Sequence, residues 1–194
     1  MTKLRIISGD LKGRYVEAGE GAGFRPTQER VRESAAEIVK RKIAGAAAAD
    51  VCAGSGAFGF EMVSRGAARV DFVEADGRAA GTIASNAVRL GINGRINVIR
   101  DDVRRFVNTA GRYDIIFYDP PYDDDGLRGL IPGLLNMLKE DGLLIYERRR
   151  CRSEKKTADT GGKINIVDAR IYSGTVIEIY KRESNADSAL SGDV

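Results

Sequence analysis

The stretch Asp50-Val51-Cys52-Ala53-Gly54-Ser55-Gly56-Ala57-Phe58-Gly59 joins a short apolar run to a glycine-rich turn and then to a helical pattern. It contains G-x-G-x-x-G, and Glu74 closes the next apolar run 20 residues after Gly54. Glycines at a strand-to-helix turn let the backbone approach a ligand, and an acid at that distance reaches ribose hydroxyls. A nucleoside-bearing cofactor is therefore expected. Outward from this turn, apolar runs at 49–52, 70–73, 96–99, 115–118 and 143–146 alternate with helical patterns near 58–65, 78–90, 103–108 and 127–138. Such alternation implies a parallel sheet covered by helices on both faces. Runs at 164–172 and 175–180, separated by Ser173-Gly174, predict an antiparallel hairpin that closes the sheet. The expected architecture is α/β and Rossmann-like, with a mostly parallel seven-stranded sheet, a C-terminal antiparallel hairpin and a small N-terminal extension.

The glycine spacing alone does not say which cofactor it holds. A dinucleotide site places a pyrophosphate at the helix N-terminus, whereas an S-adenosylmethionine site packs the glycines on the amino acid and ribose. Asp50 stands just before the glycines, where it could help hold an ammonium group through a water or backbone contact, and Asp102 follows the third strand, where an adenine amine would lie. A pocket lined with negative charge suits a cationic sulfonium better than a pyrophosphate. Asp101 competes with Asp102 for the adenine and is also a natural helix cap; Asp76 reads as a cap. The spacing Asp102-Val103-x-x-Phe106 favours Asp102, with Phe106 turned into the core. The expected cofactor set is Asp50, Ala53, Gly54, Ser55, Gly56, Glu74, Ala75, Asp102 and Val103.

A second motif, Asp119-Pro120-Pro121-Tyr122, directly follows the run Tyr113-Asp114-Ile115-Ile116-Phe117-Tyr118. Two prolines make a stiff exit from a sheet that cannot pair, and they leave a backbone carbonyl open. With Asp119 that carbonyl could accept both hydrogens of an exocyclic amine while Tyr122 stacks on the ring. The arrangement suits amino-methyl transfer to a nucleobase. Asp119, Pro120, Pro121 and Tyr122 are the expected catalytic group.

Composition removes other chemistries. The 194 residues fit one domain with a full core. Histidine is absent, which excludes imidazole general acid-base catalysis, Ser-His triads and His-ligated zinc. No metal is expected: Asp123-Asp124-Asp125 reads as a solvated loop, since three adjacent acids cannot converge on one ion. Two cysteines build no disulfide framework, and no apolar stretch suggests a signal peptide or membrane span, so a cytoplasmic location and a monomer are expected. The net charge of +3 is unevenly placed. Residues 1–45 carry 10 Lys/Arg against 6 Asp/Glu, residues 46–146 carry 11 against 14, and residues 147–182 carry 10 against 5. A mildly acidic centre between basic flanks matches a catalytic core with edges that grip a polyanion.

The chain organises as a hairpin-and-helix extension over 1–45, a catalytic domain over 46–183 and a tail over 184–194 expected to be disordered. Within the extension, runs at 4–8 and 14–17 predict a hairpin, and Pro26-Thr27 opens a helix with Val31, Ala35, Ile38 and Val39 on one face, Arg30 on the surface and Arg25 at the entry.

Together these segments resemble the RsmD-type methyltransferases, which act on a guanine amine of bacterial small-subunit ribosomal RNA. The resemblance is carried by Arg5-Ile6-Ile7-Ser8-Gly9 with Lys12-Gly13-Arg14, by Arg25-Pro26-Thr27 with Glu29-Arg30-Val31-Arg32-Glu33, by Ala53-Gly54-Ser55-Gly56 with Ser64-Arg65-Gly66-Ala67, by Asp119 to Tyr122, and by Tyr172-Ser173-Gly174-Thr175. It spans nearly the whole chain. It implies a class I methyltransferase fold, S-adenosylmethionine as cofactor, N2-methylguanine as product, and 16S ribosomal RNA or an assembling small subunit as partner. Arg5, Lys12, Arg14, Arg25, Thr27 and Arg30 would then be the RNA-contacting residues of the extension. The chain departs from the family pattern at Ser34-Ala35-Ala36-Glu37, Cys52 and Phe58. Three other readings stay open: a DNA or protein amino-methyltransferase, a nicotinamide-dependent oxidoreductase, and a non-catalytic RNA-binding assembly factor.

Overall fold

A computed structural model describes residues 2–19, 26–121, 125–150, 166–172 and 174–182, with backbone alone for 26–28 and 125. Its centre is a seven-stranded sheet. The strands are β3 (Ala47–Val51), β4 (Arg69–Val73), β5 (Ile96–Ile99), β6 (Tyr113–Tyr118), β7 (Leu138–Arg149), β8 (Ile166–Ile171) and β9 (Thr175–Lys181), in the order β5-β4-β3-β6-β7-β9-β8. The first five are parallel to one another; β9 runs antiparallel to both β7 and β8. The order reverses between β3 and β6, so the crevice at their carboxyl ends is the position where open α/β sheets bind ligands.

The crossovers are helical: α3 (Ala57–Ser64), α4 (Gly77–Leu90), α5 (Val103–Phe106) and α6 (Ile131–Asn136). Two apolar clusters sandwich the sheet. One joins Phe60, Phe72, Ile83, Phe117 and Ile145, and the other joins Val51, Phe106, Tyr118, Leu134 and Tyr146. From Ile115 to Tyr118, successive residues of β6 go to alternate clusters, as the two-residue repeat of a strand buried on both faces requires. Tight packing also explains Gly59, where a Cβ would stand 2.3 Å from the Phe72 ring. The third glycine of the motif thus serves the contact between helix and sheet.

The predicted hairpin exists as β1 (Thr2–Arg5) and β2 (Tyr15–Ala18), followed by α1 (Pro26–Ile38) and the short α2 (Lys40–Ile43). Leu4, Ile6, Val16, Val31, Ala35 and Val39 join the same cluster as Phe60 and Phe72. Polar contacts fasten the hairpin to α3 and α4. The buried Glu61 carboxylate accepts from the Ile7 and Ser8 N–H groups and from Arg65, Ser64 Oγ accepts from the Leu11 N–H, and Asn86 exchanges two hydrogen bonds with the Glu17 backbone. Arg32 of α1 is buried and donates to the Arg5 carbonyl at 2.9 Å. Its guanidinium therefore ties helix to hairpin.

The region 127–146 differs from expectation. The chain makes a 3-10 segment, Asp125–Leu130, before α6, and β7 begins at Leu138 where the sequence pattern predicts helix. The register between β6 and β7 slips between Tyr113–Leu138 and Ile115–Leu143. The surplus residues 139–142 form an irregularity with Asp141 at φ 61°. Lys139-Glu140-Asp141-Gly142 is polar, which hid the early start of the strand. The 184–194 tail lies outside the described residues. Among the described residues no helix is long and apolar enough to cross a membrane.

Candidate active site

The carboxyl ends of β3, β4, β5 and β6 open into one cleft of about 520 Å³, within the range of small-molecule sites. It is lined by Cys52, Gly54, Val73, Glu74, Ala75, Asp101, Asp102, Val103, Arg104, Asp119, Pro120, Pro121 and Leu127. The glycine corner and the diproline corner therefore share one cavity. Of the expected cofactor residues, Gly54, Glu74, Ala75, Asp102 and Val103 line it; Asp50, Ala53, Ser55 and Gly56 do not.

Each wall follows from local chemistry. Gly54, at φ 53°, has nothing within 4 Å of an added Cβ, so its bare backbone is open to a ligand. Its N–H donates to Glu74 Oε2 at 2.7 Å, while Oε1 accepts from the Asp76 N–H at 2.8 Å. These bonds fix the carboxylate, and each oxygen keeps a lone pair for a hydroxyl donor. Gly56 holds φ 71° as the N-cap of α3, and a Cβ there would press on Phe72, Ile83 and Phe60 at 3.0–3.1 Å. Ser55 Oγ accepts from the Ala57 N–H at 3.4 Å and so braces the turn.

Asp50 turns under the glycines instead of lining the cleft. Its carboxylate is 2% exposed and accepts from the Gly59 N–H at 2.8 Å, so it ties β3 to α3. Burial, reinforced by Glu74 and opposed by the Gly59 N–H and Arg32, pushes its pKa up to about 7. The acids after β5 also divide differently. Asp102, with its side chain on the Arg104 N–H, is the N-cap of α5, whereas Asp101 accepts from the Asp102 N–H and from Arg105. Both line the cleft, and Phe106 is buried as expected.

At the other corner the Asp119 N–H donates to the Val51 carbonyl at 3.3 Å, which carries the β3–β6 ladder one step past the strand end. Tyr118 donates to the Leu127 carbonyl at 2.9 Å and fixes the 3-10 segment against β6. Asp119 is half-buried, Pro120 buried and Pro121 exposed. Burial, with the charges of Glu147 and Asp50, raises the Asp119 pKa well above the ordinary carboxylate range. Tyr122 lies outside the described residues, as do Asp123 and Asp124.

Sequence reasoning missed Cys52, Val73, Arg104 and Leu127 as lining residues. Cys52 sits at φ 60°, half-buried, and burial beside Glu74, Asp119, Asp50 and Asp102 pushes its thiol pKa up to about 12. A thiol held protonated beside so much negative charge is an inert wall. Its place between the strand and the first glycine was the available signal. Among the described residues no group of three or more His, Cys, Asp or Glu is arranged to hold a metal. Arg5, Lys12, Arg14 and Arg30 are all exposed on the extension, and Arg5 stands 3.9 Å from Glu29. Arg25 and the Thr27 side chain lie outside the description.

A cleft at the switch point of this strand order, with an antiparallel strand inserted at the far side, defines the class I methyltransferase fold. A solved Escherichia coli structure, yhhF, provisionally titled a methyltransferase, superposes with a TM-score of 0.80 at 27% identity over 95% of this chain and 100% of its own. The chain belongs to the RsmD-type family, described as conserved hypothetical protein 95, whose pattern matches residues 4–181. It is 34% identical over 185 residues to Bacillus subtilis (strain 168) YlbH, provisionally named an rRNA methyltransferase, covering 92% of this chain and 99% of the relative. It is 29% identical over 192 residues to ribosomal RNA small subunit methyltransferase D of Escherichia coli (strain K12), covering 96% and 93% of the two chains.

Proposed function

We propose that this protein is an S-adenosylmethionine-dependent methyltransferase that methylates the exocyclic N2 amine of a guanine in small-subunit (16S) ribosomal RNA. The observation that carries the reading is the single cleft shared by Gly54 and Glu74 on one side and Asp119, Pro120 and Pro121 on the other. Similarity to proteins named for small-subunit rRNA methylation supports the substrate class.

The cleft fits the cofactor on its own chemistry. The open backbone of Gly54 admits close contact, the oriented Glu74 carboxylate suits ribose hydroxyls, and Asp102 with Val103 borders the place for adenine. Four lining acids, Glu74, Asp101, Asp102 and Asp119, favour a cation, and the one lining arginine, Arg104, is paired with Asp102. When bound, the cofactor supplies an electrophilic methyl carbon whose S–C bond breaks as the N–C bond forms.

The chain's own residues prepare the nucleophile. Guanine N2 is a weak nucleophile because its lone pair is delocalised into the ring. Acceptance of its hydrogens by the Asp119 carboxylate and the Pro120 carbonyl stabilises the positive charge that develops on nitrogen. Asp119 then takes the departing proton, and its raised proton affinity suits that task. Because N2 is enclosed in paired RNA, the base must be looped or flipped out, with Tyr122 as its stacking partner. Arg5, Lys12, Arg14 and Arg30, together with Arg25 and Thr27, form the proposed RNA grip.

Mass mapping of methylated nucleosides in ribosomal RNA from cells with and without the chain tests the proposal. One N2-methylguanosine in the small-subunit RNA should disappear with the gene. An unchanged modification map would remove rRNA methylation from the account.

A further inference from the structure

We infer that a second cavity, at the end of the sheet remote from the cleft, is an anion site that takes a phosphate group between Arg112 and Arg182. The cavity has a volume of about 480 Å³ and lies where α5 and α6 end, β6 begins and β9 ends. It shares no residue with the cleft and is separated from it by the length of β6, roughly 17 Å at the usual rise per residue. The site is therefore independent of the methyl transfer proposed above.

The sheet order brings the two arginines together. β7 runs between β6 and β9, so its first residues receive Arg112 from one side and Arg182 from the other. Arg112 donates to the Asn136 carbonyl at 2.8 Å, and Arg182 donates to the Leu138 carbonyl at 2.7 Å. Carbonyls two residues apart lie roughly 7 Å or less from each other, so these anchors hold two guanidiniums side by side on one cavity. Each guanidinium has five N–H donors, and its anchor uses one. Among the described residues neither forms an ion pair or a further side-chain hydrogen bond. Arg112 is exposed and Arg182 half-buried, and both line the cavity.

Counter-charge is missing where it would be expected. No acid lines the cavity. Asp114 is engaged by Lys139 and the Ala47 N–H, and Asp141 by Lys181. Capping the last carbonyl of α6 requires only Arg112. Arg182 brings a second positive charge to the same place, at an electrostatic cost that an anion offsets. The planar fork of a guanidinium matches the oxygens of a phosphate, and two forks can share one. Buried Met137 and half-buried Val107 add apolar surface to the wall, which lowers the local dielectric and strengthens the attraction. The phosphate can belong to an RNA backbone or to a small phosphorylated molecule; the chemistry that recognises it is the same.

The test follows amide resonances of isotope-labelled full-length protein during titration with sodium phosphate, with sodium chloride at matched ionic strength as the control. Resonances of residues 107–112, 136–138 and Arg182 should shift and saturate with phosphate and stay in place with chloride. In the double variant Arg112→Gln with Arg182→Gln, phosphate affinity should fall by about tenfold or more, while S-adenosylhomocysteine binding at the cleft is unchanged. Shifts that never saturate, or an unchanged dissociation constant in the double variant, overturn the inference. If the double variant does not fold, Arg112→Gln alone, at an exposed residue, must weaken phosphate several-fold; an unchanged affinity again overturns it. The salt dependence of binding to small-subunit RNA then separates the sources. A slope reduced by about one or more in the variant assigns the site to an RNA phosphate, whereas an unchanged slope beside lost phosphate binding assigns it to a small phosphorylated ligand. Both results support the site.

Discussion

Asp50→Asn tests the electrostatics behind the glycine turn. The Asp50 carboxyl is enclosed beneath that turn, accepts from the Gly59 N–H, and titrates near 7 instead of its ordinary 3.8. In the unfolded chain it ionises near pH 4. Between these values the native state holds a proton that the unfolded state has lost, so stability falls as pH rises through the window, and the loss is complete above pH 7. At about 1.4 kcal/mol per pH unit, the loss between pH 5 and pH 7 is roughly 3 kcal/mol. Asparagine keeps an oxygen for the Gly59 N–H and does not titrate. Its unpaired amide hydrogens cost about 1–3 kcal/mol at every pH, which shifts the variant's curve without tilting it. Urea unfolding of both proteins from pH 5 to pH 8 should therefore show the variant gaining on the wild type by about 3 kcal/mol across the range. Parallel profiles would mean that the native carboxyl is already ionised at pH 5 and would refute the burial argument.

Other variants probe the remaining parts. Asp119→Ala is expected to abolish methyl transfer while S-adenosylhomocysteine affinity, measured by calorimetry, stays within a few-fold of wild type. Glu74→Gln should do the reverse at the first step: it keeps an oxygen for the Gly54 N–H but weakens the hold on ribose hydroxyls, lowering cofactor affinity by about tenfold. Gly9→Ala places a Cβ 1.9 Å from the Ser64 carbonyl oxygen at a residue with φ 82°, so the hairpin must lift off α3. Amide exchange should then rise at Ile7, Ser8, Asp10 and Leu11, whose N–H groups Glu61 and Ser64 hold. Arg14→Ala should weaken RNA binding at all sequences alike and reduce the salt slope of binding by about one.

The parallel core was legible because its strands are buried on both faces and its turns carry glycine. Residues 49–52, 70–73 and 96–99 read as short apolar runs and became β3, β4 and β5 within two residues at either end. The start of β7 was hidden, since Lys139-Glu140-Asp141-Gly142 interrupts the ladder with a polar irregularity that has no periodicity. The two corners of the cleft were legible as motifs for the same reason that they work: close approach demands glycine, and a rigid non-pairing exit demands proline. What sequence could not show was direction. Asp50 and Glu74 are both acids at strand ends, yet one turns under the loop to Gly59 and the other lines the cleft. The nearness of Glu147 to Asp119 was hidden for the same reason: Glu147 stands one step past Tyr146 on the neighbouring strand, a proximity between residues 28 positions apart that only the sheet order creates.

The destination of the methyl group is the most direct test of the Asp119 corner. Purified protein, small-subunit particles and methyl-labelled S-adenosylmethionine are incubated, the RNA is digested to nucleosides, and the label is located by mass. Label should enter N2-methylguanosine with the wild-type chain and be absent with Asp119→Ala. Label in a different nucleoside or in protein, or full transfer by Asp119→Ala, would contradict the placement of a guanine amine against the Asp119 corner of the cleft.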